Sequence, residues 1–119
     1  MIGRATLDSA KSGLLLINVG RGGCVDEEAV ANALADGRLG GYAADVFELE
    51  DWAVTDRRQY IPNALLVDKK KCVFTPHVGS AVEAVRSKIE VEAVENIIDL
   101  LVRKRRPRSA VNQVKDNFL

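Results

Sequence analysis

The chain is short of the residues and patterns on which several classes of protein depend. Its 119 residues include two cysteines, one histidine and 5% aromatic residues, and 17 acidic side chains balance 17 basic ones. The zero net charge argues against a nucleic-acid binder, and two distant cysteines without a CxxC pair argue against a metal site. No apolar run approaches the roughly 18 residues of a membrane span, and no apolar signal segment follows Met1. We therefore expect a reduced, cytoplasmic chain with no metal, membrane or nucleic-acid partner.

Short apolar runs alternate with segments of helical periodicity. With 47% apolar residues, the chain can bury one modest core. The apolar runs predict buried strands over 14–18, 42–47 and 72–75, and Pro76 ends the last of them. The order strand, helix, strand, strand, helix is typical of an α/β fold, with a parallel sheet and flanking helices.

Two helices are predicted around these strands. Asp26, followed by two glutamates, predicts an N-cap with acids at the positive end of the helix dipole, and Gly37 ends this helix. A second helix is predicted over 81–102, where apolar residues recur every three or four positions and form one amphipathic face.

The remaining segments are predicted to be irregular. Residues 48–63 are charged and rich in turn formers, and we expect Trp52 and Tyr60 to anchor this loop. The basic run 103–108 is typical of a helix C-terminus that complements its dipole. The tail 112–119 is expected to be loose.

Polar side chains follow each predicted strand. Arg21 lies in a glycine-rich loop after the first strand, Asp45 and Glu50 follow the second, and His77 follows the third. Because ligands bind at the carboxyl ends of parallel strands, we expect these side chains to converge. An arginine grips a small oxyanion, a histidine exchanges a proton near neutral pH, and a glutamate can orient it. Such a group of residues fits hydride transfer to a nicotinamide.

Each of these residues also has a purely structural alternative. Taken alone, Arg21 is equally typical of a surface loop, His77 of a turn, and Glu50 of a solvated acidic segment. Spacing by itself does not decide between the two interpretations.

Three segments together resemble the NAD-dependent D-2-hydroxyacid dehydrogenases. Residues 14–27 are similar to the arginine segment of that family, 44–50 to its aspartate–glutamate segment, and 75–79 to its histidine segment. They occur in the family's order and extend the resemblance over roughly residues 5–113. The resemblance implies that Arg21 anchors the substrate, that His77 is the acid/base, and that Glu50 orients His77.

The same resemblance implies a cofactor and the residues that contact it. NAD is the expected cofactor, with NADP not excluded, and Asp45 would contact its nicotinamide side. The implied cofactor-binding residues are Asn18, Val19, Gly20, Arg21, Asp45, His77 and Gly79.

Within the family, residues 40–53 are most similar to phosphonate (phosphite) dehydrogenases. Residues 79–86 share this similarity, which makes Ser80 a second candidate for contact with the substrate. Val19 and Gly20 instead have the form common to hydroxyacid dehydrogenases. The expected substrate is therefore a small anion, with phosphite the main interpretation and a 2-hydroxy acid the alternative.

The chain lacks the G-x-G-x-x-G motif that binds the cofactor's phosphates in this family. By resemblance, residues 1–102 are the C-terminal half of a Rossmann-type NAD-binding domain, and 103–119 return toward an absent substrate domain. We expect the full-length parent to be a homodimer. A different class of function stays open, in which this half-domain is a non-catalytic dimerisation or regulatory module with an unpaired strand edge.

Overall fold

A computed structural model describes residues 1–53 and 55–111 of the chain. They form two compact units, Met1–Gly79 and a second that begins at Ser80. The domain boundaries predicted from the sequence, 1–102 and 103–119, stay a prediction. The part of the tail predicted to be loose, 112–119, lies outside the described residues.

The first unit is built on three parallel strands in the order β1-β2-β3. Its helices, strands and short 3-10 turns follow the predicted alternation of an α/β fold. In chain order they are α1 (Arg4–Asp8), β1 (Leu14–Asn18), a turn (Gly22–Cys24), α2 (Glu27–Ala35), β2 (Leu39–Ala44), a turn (Glu48–Glu50), α3 (Asn63–Val67) and β3 (Cys72–Phe74).

Parallel pairing sets the three strand ends side by side. Asn18 of β1 pairs with Ala44 of β2, and Ala44 pairs in turn with Phe74 of β3. The backbone N–H of Asp45 donates to the carbonyl of Asn18 at 3.0 Å, and that of Thr75 donates to Ala44 at 3.0 Å, which continues the ladders past the strands. The three following loops therefore leave from one edge of the sheet.

The core lies between the central strand and the helices packed on it. Helix α2 begins as the sequence predicts, because the Asp26 side chain accepts hydrogen bonds from the backbone N–H groups of Glu28 and Ala29. Tyr42 and Phe47 each pack edge-to-face on Phe74. The buried apolar side chains are Leu7, Val25, Val30, Ala31, Ala33, Leu34, Leu39, Tyr42, Ala44, Val46, Phe47 and Leu65.

Several local predictions were wrong. Strand β2 spans Leu39–Ala44 rather than 42–47, because Gly41 pairs with Leu15 of β1 and Gly40 lies at a bulge inside the strand. Strand β1 was expected to be fully buried, yet Leu15 and Ile17 are each about two-thirds exposed, since β1 is at the edge of this sheet and its outward face is uncovered. Helix α3 was not predicted, because its five residues are too few to show helical periodicity, and it begins where the predicted irregular segment 48–63 ends.

The predicted aromatic anchors of the 48–63 loop were also wrong. Trp52 is 83% exposed and Tyr60 59% exposed, so neither packs into the core. The guanidinium of Arg57 instead lies 4.4 Å from the centre of the Trp52 ring.

The second unit contains α4 (Glu83–Leu101) and the basic segment behind it. The helix confirms the predicted element within two residues at each end, but its apolar residues, such as Ile89 and Ile97, remain about half exposed. Arg103 donates to Glu95 and Asp99 at 2.7 Å. The basic run thus pairs with specific acids on α4, and the Arg103 hydrogen bond, helped by Arg105, lowers the pKa of Asp99. No helix in the described ranges is long and apolar enough to cross a membrane.

Candidate active site

The loop after β1 carries Arg21 and is shaped by the last residue of the strand. Asn18 is buried; its side-chain N–H donates to the Arg21 carbonyl at 3.1 Å, and its side-chain oxygen accepts from the Gly20 N–H at 3.2 Å. The Arg21 side chain is exposed and donates one hydrogen bond to the Gly20 carbonyl at 2.9 Å. The polar side chain of Asn18 therefore fixes the backbone of the loop, while the Arg21 side chain stays exposed.

A glycine brings this loop against the loop after β2. A Cβ atom on Gly22 would lie 1.9 Å from the Phe47 carbonyl oxygen and 2.4 Å from the Glu48 nitrogen. No side chain fits between two backbones at that distance, so glycine at this position is required for the close approach. Gly22 thereby sets the Arg21 loop directly on the turn that carries Glu50.

Glu50 joins the second loop to the third. Its Oε1 accepts a hydrogen bond from the Phe47 backbone N–H at 2.9 Å, and its Oε2 lies 2.7 Å from Nδ1 of His77. The structure thus brings together two of the three residues that the sequence singled out. With Nδ1 facing the carboxylate, Nε2 is the ring nitrogen left to meet a substrate.

Asp45 stabilises the loop after β3, which carries His77. Its Oδ1 accepts hydrogen bonds from the Thr75 hydroxyl at 2.5 Å and the Val78 N–H at 2.9 Å, and its Oδ2 accepts one from the Gly79 N–H at 2.9 Å. The Thr75 hydroxyl, followed by the backbone amide of Val78, lowers the pKa of Asp45. The loop needs this support, because His77 has a left-handed backbone with φ 55°.

Arg21 and His77 line one cavity of about 480 Å³ in the first unit. A small oxyanion bound by the Arg21 guanidinium would therefore lie in the same space as the His77–Glu50 pair. The residues that line it are Arg21, Gly22, Val46, Phe47, Leu49, Glu50, Asp51, Trp52 and His77.

The remaining predicted residues are placed but not given a role by the geometry. Val19, Gly20 and Gly79 are exposed at the carboxyl edge of the sheet, where a cofactor contact is predicted. Ser80 is exposed and is the first residue of the second unit. Their contacts with cofactor or substrate stay predictions, as do the roles of Arg21, Glu50 and His77.

Two residues that support the site were missed in the sequence. Glu27 reads there as an exposed acid at a helix N-terminus, yet it is 1% exposed and accepts a hydrogen bond from the Glu48 N–H at 2.8 Å. Arg58 forms ion pairs with Asp26 at 3.1 Å and Glu48 at 3.3 Å. No sequence signal separates Glu27 from its exposed neighbour Glu28, since both occupy the first turn of α2.

The residues present fit one end of a nicotinamide dinucleotide. The carboxyl ends of three parallel strands offer a carboxylate at Asp45 and exposed backbone at Gly20 and Gly79, beside the acid/base pair. At Gly79 a Cβ would lie 3.1 Å from Oδ2 of Asp45, so glycine at this position leaves room for the Asp45 carboxylate. The phosphate-binding motif, by contrast, does not occur in the 119 residues.

Comparison with known proteins agrees with this geometry. Residues 1–79 match the profile of the D-isomer specific 2-hydroxyacid dehydrogenase NAD binding domain, and this range is the first compact unit. Glyoxylate/hydroxypyruvate reductase B from Yersinia pestis (strain Pestoides F) is 40% identical over 101 residues, which are 85% of this chain and 28% of the relative. The chain thus spans less than a third of the length of this curated relative.

Solved structures give the same picture. The NADPH-dependent glyoxylate/hydroxypyruvate reductase of Sinorhizobium meliloti, in complex with NADP and malonate, is 30% identical, with a TM-score of 0.61 over 97% of this chain and 32% of its own. The D-mandelate dehydrogenase of Rhodotorula graminis shares the fold, with a TM-score of 0.66 at 23% identity over 96% of this chain and 30% of its own.

The names of these relatives correct one part of the sequence interpretation. They refer to 2-hydroxyacid chemistry and give no support to phosphite oxidation. The family's cofactor is a nicotinamide dinucleotide, and NADP occurs in a solved relative. With a profile match over about two-thirds of its length and the Arg21, Glu50 and His77 segments in place, the chain belongs to the D-isomer specific 2-hydroxyacid dehydrogenases.

Proposed function

We propose that this chain carries the anion-binding and acid/base segment of an NAD(P)-dependent enzyme that interconverts a 2-oxo acid and a 2-hydroxy acid. The observation that supports this most directly is the 2.7 Å contact between His77 Nδ1 and Glu50, in a cavity that Arg21 also lines. An anion holder and a proton donor in one cavity are the two protein groups that this reaction requires.

The reduction can be followed through the residues of the chain. The Arg21 guanidinium binds the substrate carboxylate and fixes the carbonyl carbon in the cavity. His77, protonated and stabilised by the Glu50 carboxylate, donates its Nε2 proton to the carbonyl oxygen as negative charge develops there. The bound nicotinamide supplies the hydride. In the oxidation direction, neutral His77 accepts the hydroxyl proton instead.

Small substrates such as glyoxylate and hydroxypyruvate are the class we favour. Relatives at 40% and 30% identity are named for these two compounds. The phosphite interpretation depends on the similarity of residues 40–53 and 79–86, and Arg21 and His77 would serve either anion. We also propose that the full-length parent is a cytoplasmic homodimer.

A chimera tests the proposal directly. The matched 101-residue stretch of the Yersinia pestis reductase is replaced by the corresponding residues of this chain. We expect NAD(P)H-dependent turnover of glyoxylate or hydroxypyruvate and none of phosphite with NAD. In the chimera, Arg21→Ala, Glu50→Gln and His77→Ala should each remove most of this activity, by about 10²-fold or more for His77.

The control is a substitution of similar size outside the cavity. Lys70→Ala changes an exposed turn residue and should leave turnover unchanged. A folded chimera with full activity after His77→Ala would contradict the assignment of the acid/base. Turnover of phosphite without turnover of either 2-oxo acid would overturn the substrate class.

A second candidate function has its own observation. Leu15 and Ile17 expose an apolar face of the sheet, and β1 is an edge strand of the described sheet, which favours association with another chain. Such a module would be non-catalytic, and we expect the isolated chain to bind NAD weakly or not at all. Because the phosphate-binding motif is absent, the same weak NAD binding is expected of the enzyme segment, and micromolar affinity in calorimetry would contradict it. Light scattering after size exclusion tests the module: a defined oligomer of the isolated chain, together with an inactive chimera, favours it.

A further inference from the structure

Glu27 is buried directly behind the turn that carries Glu50. Its side chain is 1% exposed, and its Oε1 accepts the backbone N–H of Glu48 at 2.8 Å across 21 positions of sequence. Its Oε2 has no hydrogen-bond partner among the residues that the structure describes. Burying a carboxyl group costs free energy unless its oxygens are hydrogen-bonded. The single hydrogen bond that Glu27 makes to this turn therefore needs an explanation.

The turn is short, and two carboxylates accept hydrogen bonds from the N–H of the residue before it and from the N–H of its first residue. Glu50 Oε1 accepts the N–H of Phe47, and Glu27 Oε1 accepts the N–H of the next residue, Glu48. Such N–H groups have no backbone partner at the start of a helical turn and need an acceptor from elsewhere. Because Glu48 and Glu50 belong to the same three-residue turn, a shift of the Glu48 amide also moves the carboxylate that faces His77.

The charges around Glu27 favour its uncharged form. Burial raises the pKa of Glu27, the hydrogen bond from Glu48 opposes that rise, and the nearby carboxylates of Glu48 and Glu50 add to it. Arg58 acts in the opposite direction, and Tyr42 is the buried titratable group on β2 that interacts with Glu27. An oxygen that accepts one hydrogen bond does so in either protonation state, and an amide oxygen can replace it.

We propose that Glu27 is a positioning residue of the site: through the Glu48 amide it fixes the 48–50 turn and so aims Glu50 at Nδ1 of His77. This role deepens the proposed function and rests on it, since aiming Glu50 matters for catalysis only if His77 is the acid/base. Gly22 contributes to the same arrangement, because it allows the Arg21 loop to press on the Phe47–Glu48 peptide.

The single histidine of the chain allows a clean test. In the full chain with ¹⁵N-labelled histidine, long-range ¹H–¹⁵N spectra show which ring nitrogen is protonated and whether Nδ1 is held in a hydrogen bond. We expect the wild type and Glu27→Gln to show protonated, hydrogen-bonded Nδ1. Glu27→Leu, which fills the space without an acceptor, should lose that signature. Glu28→Gln, on the exposed side of the same helical turn, is the matched control and should resemble the wild type.

Two results would overturn the proposal: a wild-type His77 signature in Glu27→Leu, or its loss in a folded Glu27→Gln chain. Should Glu27→Leu fail to fold, amide exchange in the wild type decides. The Glu48 amide should then be protected at least about tenfold over an unstructured peptide, and its exchange at the unprotected rate would refute the proposal. Neither measurement requires turnover, so an inactive chimera would count against the proposed function and leave the role of Glu27 intact.

Discussion

Two carboxylates support the site, one behind each of the loops that meet at the His77–Glu50 pair. Glu27 holds the 48–50 turn through one backbone N–H and is almost completely buried. Asp45 holds the 75–79 loop through two backbone N–H groups and a hydroxyl, and it is only partly buried. Both use an acid to satisfy loop amides, yet their pKa values shift in opposite directions.

This contrast shows which physical effect decides the electrostatics of a supporting acid. Around Asp45, three hydrogen bonds to the ionised form outweigh desolvation, so its pKa falls. Around Glu27, burial outweighs one hydrogen bond, so its pKa rises. The same residue chemistry thus gives a carboxyl group with a lowered pKa at the open edge of the sheet and a buried one with a raised pKa behind the 48–50 turn.

The largest expected effect comes from separating the first two loops. Gly22→Ala forces a Cβ against the Phe47 carbonyl and the Glu48 nitrogen, and we expect a loss of about 3 kcal/mol in the free energy of unfolding. Gly20→Ala is the matched control in the same loop, since its Cβ would meet Asn18 at an ordinary 3.7 Å, and it should change stability by less than about 0.5 kcal/mol. Urea unfolding measures both; equal stability of the two variants would contradict the close approach.

Removing the charge of Asp45 should loosen only the 75–79 loop, which carries His77. In Asp45→Asn, charge-assisted hydrogen bonds become ordinary or are lost, and we expect amide exchange at Val78 and Gly79 to accelerate by roughly tenfold. Exchange at Val30, in the core of α2, should stay the same. Unchanged exchange at both loop amides would show that Asp45 does not hold the loop.

The pH dependence of stability is expected to have opposite signs for Asp45 and Glu27. Because the folded-state pKa of Asp45 is below its ordinary value of 3.8, its contribution is present above pH 3.8 and is lost as pH falls through the lowered pKa. Because the folded-state pKa of Glu27 is above its ordinary value of 4.5, its contribution is full below pH 4.5 and is lost as pH rises through the raised pKa.

Unfolding at a series of pH values tests both signs. Compared with wild type, Asp45→Asn should flatten the stability curve below pH 3.8, and Glu27→Gln should flatten it above pH 4.5. A steeper curve for either variant in its own range would reverse the assigned direction of that pKa.

The smallest effect on stability is expected at Trp52, two residues after the 48–50 turn. Trp52 is 83% exposed and contacts the Arg57 guanidinium at 4.4 Å, so Trp52→Ala should cost no more than about 0.5 kcal/mol in unfolding free energy. A loss of several kcal/mol would show that Trp52 stabilises the turn in addition to Glu27.

Much of the fold could be read from local patterns. The N-cap at Asp26 uses only neighbours in sequence, and the side chain caps the first amides of α2 as predicted. The order of strands and helices also follows from short-range periodicity. The start of β2 was missed because Gly40 and Gly41 interrupt the apolar run locally, whereas the pairing of Gly41 with Leu15 and the bulge at Gly40 are tertiary features.

The site shows the same division. Arg21, Asp45, Glu50 and His77 could be named because each follows a recognisable strand within a segment typical of the family. Glu27 and Arg58 could not, because their importance lies in contacts to residues 21 and 10 positions away, at Glu48. Nothing in the first turn of α2 distinguishes the buried glutamate from the exposed one beside it.

Local sequence was sufficient for the α/β alternation, for the family and for naming Arg21, Glu50 and His77 as candidates, because each of these depends on short contiguous segments. Tertiary contacts were needed to establish which carboxylate lies behind which loop, that Gly22 is a contact between two backbones, and that Glu27 rather than Trp52 holds the 48–50 turn. These features depend on burial and on hydrogen bonds between distant residues, and both exist only once the parallel strands have brought the loops to one edge.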